Sequence, residues 1–383
     1  MATPVLTPTR SRVIAVGGVF ALQGAGYAVV VTALPSFQSR IGLDAAALSI
    51  ILLGVCVTAA LGSVVADAVA IRRNSRQAVA LGFAVQAASL LVMATASLPA
   101  LFIGAALIYG LGLGIVDAAS NMQAVLVQRG HVVPLLGRFY AAYTAGAILG
   151  AMTMSGAFAA GMGAMAALIA AAVLQIVLVV VATRHLDPER AARAPREART
   201  ARTPLPRRAI VVTGLVVLAA FTIDSAISSW GTVHLTGLGA AAALAPVGYA
   251  VYQAAVLLVR LAADFLVRWV GTPLVLAGAV IAGALGGLVV AFADAPTAAI
   301  AGFALSGLAV GALVPIAFTR AGGIDPARSD EVIARVNLFN YAGAVFGAVG
   351  VGLVIDAGGA SLAFLLPVLL LATALPAVIA SRR

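Results

Sequence analysis

Residues 46–73 read AALSIILLGVCVTAALGSVVADAVAIRR. From Ala46 to Ala66 no side chain is charged, and then Asp67, Arg72 and Arg73 arrive within two helical turns. About 20 largely apolar residues are needed for a helix to cross roughly 30 Å of hydrocarbon. The stretch therefore reads as a transmembrane helix that leaves the bilayer in an acid–arginine cluster. Working outward from it, comparable windows fall at 12–34, 46–70, 77–97, 101–127, 139–160, 163–183, 209–231, 243–266, 272–292, 297–319, 332–355 and 359–380. The first is too long for the apolar core of a signal peptide and lacks a cleavage context, so it counts as a helix. Twelve spans are expected in an all-α membrane protein.

Composition agrees with that solvent. Of 383 residues 63% are hydrophobic and only 9% are charged, whereas a soluble surface needs about 25%. The 40 glycines suit closely packed membrane helices. A net charge of +10 would in a soluble protein suggest nucleic acid, but the arginines lie in short clusters between apolar runs and form no basic face. They follow the positive-inside rule instead. Arg10 and Arg12, Arg72, Arg73 and Arg76, Arg129 and Arg138, the eight arginines from Arg184 to Arg208, Arg268, Arg320, Arg328 and Arg335, and Arg382 and Arg383 all fall on one side. Connections of the other parity carry Arg40 alone. Both termini are thus expected in the cytoplasm. The absence of lysine, with the abundance of alanine, points to a GC-rich bacterial genome and so to a bacterial inner membrane.

The opening cluster recurs. Asp67 after Ala66 is matched by Asp264 after Ala263, and Arg138 by Arg335, each at an offset of 197 residues. Gly110 and Gly114 match Gly307 and Gly311, and Gly146 and Gly150 match Gly343 and Gly347, at the same offset of 197. Repeats are common in transporters. The expectation is two parallel-related six-helix bundles, 1–183 and 209–383, joined by a cytoplasmic linker at 184–208 that either lies on anionic headgroups or is a solvated tether.

Ionisable groups inside spans are costly and mark function or packing. Asp117 and Asn121 share a face of span 4, and Gln123 lies on another. A carboxyl there can take up and release a proton during transport, with Asn121 offering a donor and an acceptor to a solute; the alternative is polar packing between helices. Asp224 in span 7 is followed by Trp230, which reads equally as an interfacial anchor, and by His234, expected at or beyond the membrane edge. Gln23, Tyr27, Tyr140, Tyr143, Tyr249, Tyr252, Gln253, Asn337, Asn340 and Tyr341 are further candidates for a cavity or for interhelical bonding. Arg260 lies one turn before Asp264, which reads as an ion pair within one helix. His131, His185, His234 and Cys56 are scattered and a lysine-dependent phosphate loop is impossible, so no metal, nucleotide, cofactor or enzymatic site is expected.

Over essentially the whole chain, the spans, the linker and the Asp–Arg clusters resemble the major facilitator superfamily. Ser63 to Arg73 is similar to its loop 2–3 signature, with Ser63 and Ala70 where glycine is usual. The resemblance implies a cytoplasmic gate of Asp67, Arg72, Arg73 and Arg138 with Asp264, Arg268 and Arg335. Gly114 to Asn121, Phe221 to His234 and Phe20 to Phe37 resemble the branch containing the fucose permease and its uncharacterised bacterial relatives. The permease's first-span acid falls at Val31 and the relatives' span 5 histidine at Tyr140, which argues against fucose itself. Alternating access by a monomer in membrane lipid is implied, with proton symport of a small polar organic solute into the cell. The alternatives are proton-coupled efflux of a more hydrophobic solute or drug, favoured by the apolar first span, and a non-transporting sensor.

Overall fold

In the computed structural model residues 10–129, 131, 135–189 and 205–374 are described, apart from the side chains of Asp264, Ala327, Asp330 and Ser361. They are helical almost throughout. The order is α1 (Arg10–Thr32), α2 (Leu34–Ile41), α3 (Ala45–Arg72), α4 (Ser75–Thr95), α5 (Pro99–Gln128), α6 (Leu136–Ala159), α7 (Gly163–Thr183) and α8 (Arg207–Gly237). There follow α9 (Leu244–Val270), α10 (Thr272–Ala291), α11 (Pro296–Ile324) and α12 (Ser329–Val345), which runs through a π turn at Phe346–Gly350 into α13 (Val351–Gly358), and then α14 (Ala360–Leu371).

Local chemistry places the ends. Proline occupies the first turn of α2, α5, α10 and α11, where its missing N–H costs nothing. The Asn74 side chain caps α4 by accepting from the Gln77 N–H at 2.9 Å. Gly42, left-handed at φ 72°, ends α2. Arg40, the one arginine of the opposite parity, donates to the Ala94 carbonyl at 2.6 Å and to that of Met93, capping the C-terminal end of α4.

Among the described residues ten helices are long and apolar enough to cross a membrane: α1, α3, α4, α5, α7, α8, α9, α10, α11 and the run from α12 to α13. The protein is a multi-pass membrane protein. Two of the twelve expected windows are not among the ten. α6 has 24 residues, but Tyr140, Tyr143, Thr144, Thr153, Ser155 and its glycines dilute its hydropathy. The last window continues beyond the described residues, leaving the shorter apolar stretch Leu362–Ala374. α8 overshoots its window because Thr232, His234 and Thr236 interrupt the apolar run without interrupting the helix.

The chain divides into two compact units, residues 1–42 with 51–195 and residues 43–50 with 196–383. In the first, α1 packs chiefly on α6 and α4 packs on α5 and α7. Val16, Phe20, Phe83, Val116 and Phe139 fill its core. In the second, α8 packs on α12 and α11, and α11 on α9 and α10.

The repeat reappears as contacts. A Cβ at Gly146 or Gly150 of α6 would strike the carbonyls of Ala21 and Ala25 on α1. At Gly343 of α12 and Gly347 of the π turn it would strike those of Leu218 and Thr222 on α8. Gly110 and Gly114 on α5 meet Val55 and Ala59 on α3, and Gly307 and Gly311 on α11 meet Tyr252 and Val256 on α9. In all four pairs both partners shift by 197, so the sequence repeat is a repeat of backbone-to-backbone contacts.

The stretch after α7 is not a free tether throughout. Leu186 is buried, and Asp187 takes a 2.7 Å ion pair from Arg12 of α1. The Gln123 amide of α5 donates to the Asp187 carbonyl at 2.8 Å and accepts from its N–H at 2.9 Å, while also donating to Ser75 Oγ at 2.8 Å. These contacts hold the first residues of the expected linker to the first unit; residues 190–204 lie outside the described set.

Candidate functional site

Asp117, Ser120 and Asn121 share one face of α5. Gly24 lets α1 lie against the Tyr143 carbonyl of α6, and the adjacent Gln23, itself buried, donates to Asp117 Oδ1 at 3.3 Å. Ser120 Oγ, on the other side of that amide, lies 3.5 Å from Gln23 Oε1 and donates to the Asp117 backbone carbonyl at 3.0 Å. The Asn121 side chain donates to the same carbonyl at 2.9 Å and accepts from the Tyr140 hydroxyl of α6 at 2.9 Å. Three helices thus converge on one polar locus. Its members differ in access: Asp117 and Tyr140 are exposed, Asn121, Tyr27 and Tyr143 are half-buried. Tyr140 is held edge-on by Phe20 at 5.5 Å between ring centres. No arginine pairs with Asp117 among the described residues, so its neighbours here are neutral amides and hydroxyls.

In the second unit Asp224 is half-buried on α8. The Tyr252 hydroxyl of α9 donates to its Oδ1 at 2.7 Å, and Arg260, two turns further along α9, lies close enough to act on both electrostatically. One turn before Gln253, Tyr249 accepts its amide at 2.7 Å; Tyr249, Tyr252 and Gln253 are all buried.

The family assignment follows from the chain as a whole. Residues 16–323 match the family model described as Major Facilitator Superfamily. The chain belongs to the major facilitator superfamily. As a facilitator it is a secondary transporter of the alternating-access type, not an enzyme. It is 30% identical over 358 residues to an uncharacterised MFS-type transporter of Yersinia pestis, covering 92% of this chain and 91% of that one. Its fold is similar to that of the nucleoside transporter NupG, with TM-score 0.75 and 14% identity over 97% of this facilitator and 99% of that chain. It is also similar to FucP in its outward conformation, with TM-score 0.63 and 18% identity over 97% and 99%. Likeness at such identities is one of fold, and it extends beyond the fucose-permease branch.

Other residues singled out in the sequence of this facilitator lie apart. Trp230 is fully buried, its indole N–H donating at 2.8 Å to the Ala348 carbonyl in the π turn, so it is no interfacial anchor. His234, three residues before the end of α8, is buried, with Nε2 3.2 Å from the Val290 carbonyl and its ring 5.0 Å from that of Phe364. Asn340 donates to Asn337 at 3.1 Å, and Tyr341 is exposed. Among the expected gate residues Asp67, Arg72, Arg73, Arg138 and Arg268 are exposed, and no ion pair joins Asp67 to these arginines. Arg335 bonds Glu331 at 2.8 Å, which also holds Arg328 at 2.6 Å; the side chain of Asp264 lies outside the described residues.

Sequence reading passed over Ser120, Glu331, the Gln123–Asp187 clasp and a fully buried amide pair, Gln175 donating to Gln86 at 3.0 Å. All but Glu331 and Asp187 are uncharged, and a search keyed on intramembrane charge does not register them.

Trp230→Phe removes the buried indole N–H that donates to the Ala348 carbonyl. The expected cost is about 1 kcal/mol. It is read as a lowered unfolding midpoint in detergent, with solute affinity unchanged.

Proposed function

We propose that this facilitator imports a small polar organic solute together with a proton across the bacterial inner membrane. Asp117 carries the proton, and Asn121, Gln23 and Tyr140 present donors and acceptors to the solute. The observation that supports this reading is an accessible carboxylate within the α5 span, hydrogen-bonded by the neutral Gln23 and paired with no arginine among the described residues. A carboxyl so placed is a proton site, because its charged form lacks a compensating cation. Import is favoured over export by span 5, where Gly150 is followed by Ala151 and Met152 without the Gly–Pro pairing that antiporters carry by resemblance. The argument for a hydrophobic solute weakens, because Val29, Val30 and Val31 of α1 are buried and present no apolar face.

The fold is proposed to be completed by α6 and the apolar run from Leu362, giving twelve crossings in two six-helix halves with both termini cytoplasmic. Asp67, Arg72, Arg73 and Arg138 with Asp264, Arg268 and Arg335 are proposed as gate residues, and a monomer as the working form.

Purified protein in liposomes, offered a panel of labelled sugars, nucleosides and amino acids under an inside-alkaline gradient, tests the function. Accumulation of one class that a protonophore collapses is the expected result. Flux indifferent to the gradient would sink the coupling, and no flux of any member would favour a sensor.

A further inference from the structure

α9 carries two opposite faces. Tyr252, Val256, Val259 and Ala263 recur at three- and four-residue spacing and are buried within the second unit. On the other side Leu258, Leu261, Phe265 and Trp269, at the same spacing, are between 60% and 75% exposed. The Phe265 and Trp269 rings stack, with 6.1 Å between their centres and 23° between their planes. α9 is one of the helices long and apolar enough to cross the membrane. An exposed face of leucines and aromatic rings on such a helix has hydrocarbon, not water, as its solvent.

Hydrocarbon does not account for the last residue of that face. The hydropathy window of α9 closes at residue 266, while the helix continues to Val270 and Gly271, at φ 82°, turns the chain into α10. Arg268, exposed beside Trp269, is one of the arginines that the charge distribution places on a single side of the bilayer. Trp269 thus stands where the apolar run gives way to charge, its ring lying along Phe265. An indole suits that level, because its body is apolar and its N–H is a donor. The other tryptophan is committed elsewhere, since the Trp230 N–H is taken by the Ala348 carbonyl inside the unit.

We propose that this face of α9 is a docking surface for phospholipid, with acyl chains along Leu258, Leu261 and Phe265 and the Trp269 indole at the level of the ester and phosphate groups. The surface fixes the depth in the bilayer of the end of α9 that carries Arg268. It is independent of the solute and of the coupling proton.

The chain has two tryptophans, so Trp230→Phe leaves Trp269 as its sole indole. The purified full chain with that change is placed in liposomes of phosphatidylcholine brominated either near the headgroup end or near the methyl end of the acyl chain, and indole fluorescence is read. Quenching by the bromine nearer the headgroup is expected to exceed that by the deep bromine, and that by aqueous iodide, about twofold or more. Quenching by the deep bromine that is as strong or stronger would put the ring in the hydrocarbon interior and overturn the boundary assignment. Quenching by iodide alone would mean that the face meets water, and quenching by no agent would mean that protein, such as a second copy of the chain, covers it. Either result would overturn the lipid surface. Should Trp230→Phe fail to fold, the signal of the parent less that of Trp269→Phe isolates the same ring.

Discussion

Asp117→Asn is expected to abolish accumulation against a gradient while leaving solute exchange across the same membrane within about threefold of the parent. The separation follows from what the substitution keeps. An asparagine carbonyl still accepts from the Gln23 amide, and the backbone carbonyl of residue 117 still receives Ser120 and Asn121. The polar locus joining α1, α5 and α6 is therefore retained, as is the Asn121 contact with Tyr140. What disappears is a group able to alternate between charged and neutral forms. Coupled uptake is expected to fall about 100-fold, to the level set by facilitated diffusion, whereas equilibrium exchange of labelled for unlabelled solute needs no proton movement. Liposomes carrying either protein, assayed for net uptake and for exchange, give the comparison. Loss of both activities would mean that Asp117 is needed for the fold or for solute binding. Retention of accumulation would mean that coupling lies elsewhere.

Asp117 was legible in the sequence because one charge in an apolar helix stands out by cost alone. So was the repeat, since Asp67 with Asp264 and Arg138 with Arg335 are rare residues at one offset. The partners were less legible. Gln23 was one of several uncharged polar residues with equal claims, and its selection depends on the approach of α1 to α6 that Gly24 permits. Arg260 read as a partner of the acid one turn ahead on its own helix, and the side chain of that acid, Asp264, lies outside the described residues. His234 and Trp230 read as residues needing no protein partner because hydropathy falls after Ile227, yet α8 continues to Gly237 and buries both. A hydropathy window measures solvent preference residue by residue; it does not register a helix whose polar side chains are satisfied by a neighbouring carbonyl, as at Val290 and Ala348.

The largest loss of stability is expected at the glycines that make the repeat. Gly146 of α6 and Gly114 of α5 sit so near the Ala21 and Ala59 carbonyls that an added Cβ would fall inside 3.0 Å of backbone atoms. A flexible side chain could swing aside; a carbonyl within a hydrogen-bonded helix cannot move without displacing the helix. Gly146→Ala would therefore push α1 from α6, and with it move Gln23 from Asp117, at a cost of roughly 3 kcal/mol or more. Gly104 and Gly156 are the contrast, since each has nothing within 4 Å of the added atom. Alanine at those helical sites is expected to be neutral or to stabilise by about 0.5–1 kcal/mol, through the higher helix propensity of alanine. Folded yield by size-exclusion chromatography in detergent, with the unfolding midpoint of what is recovered, separates the two classes. Gly343→Ala should behave as Gly146→Ala does but less severely, because the Leu218 carbonyl stands somewhat further off than that of Ala21. Equal behaviour of Gly146→Ala and Gly104→Ala would mean that small residues in this chain are tolerated slack rather than the surface on which its helices close.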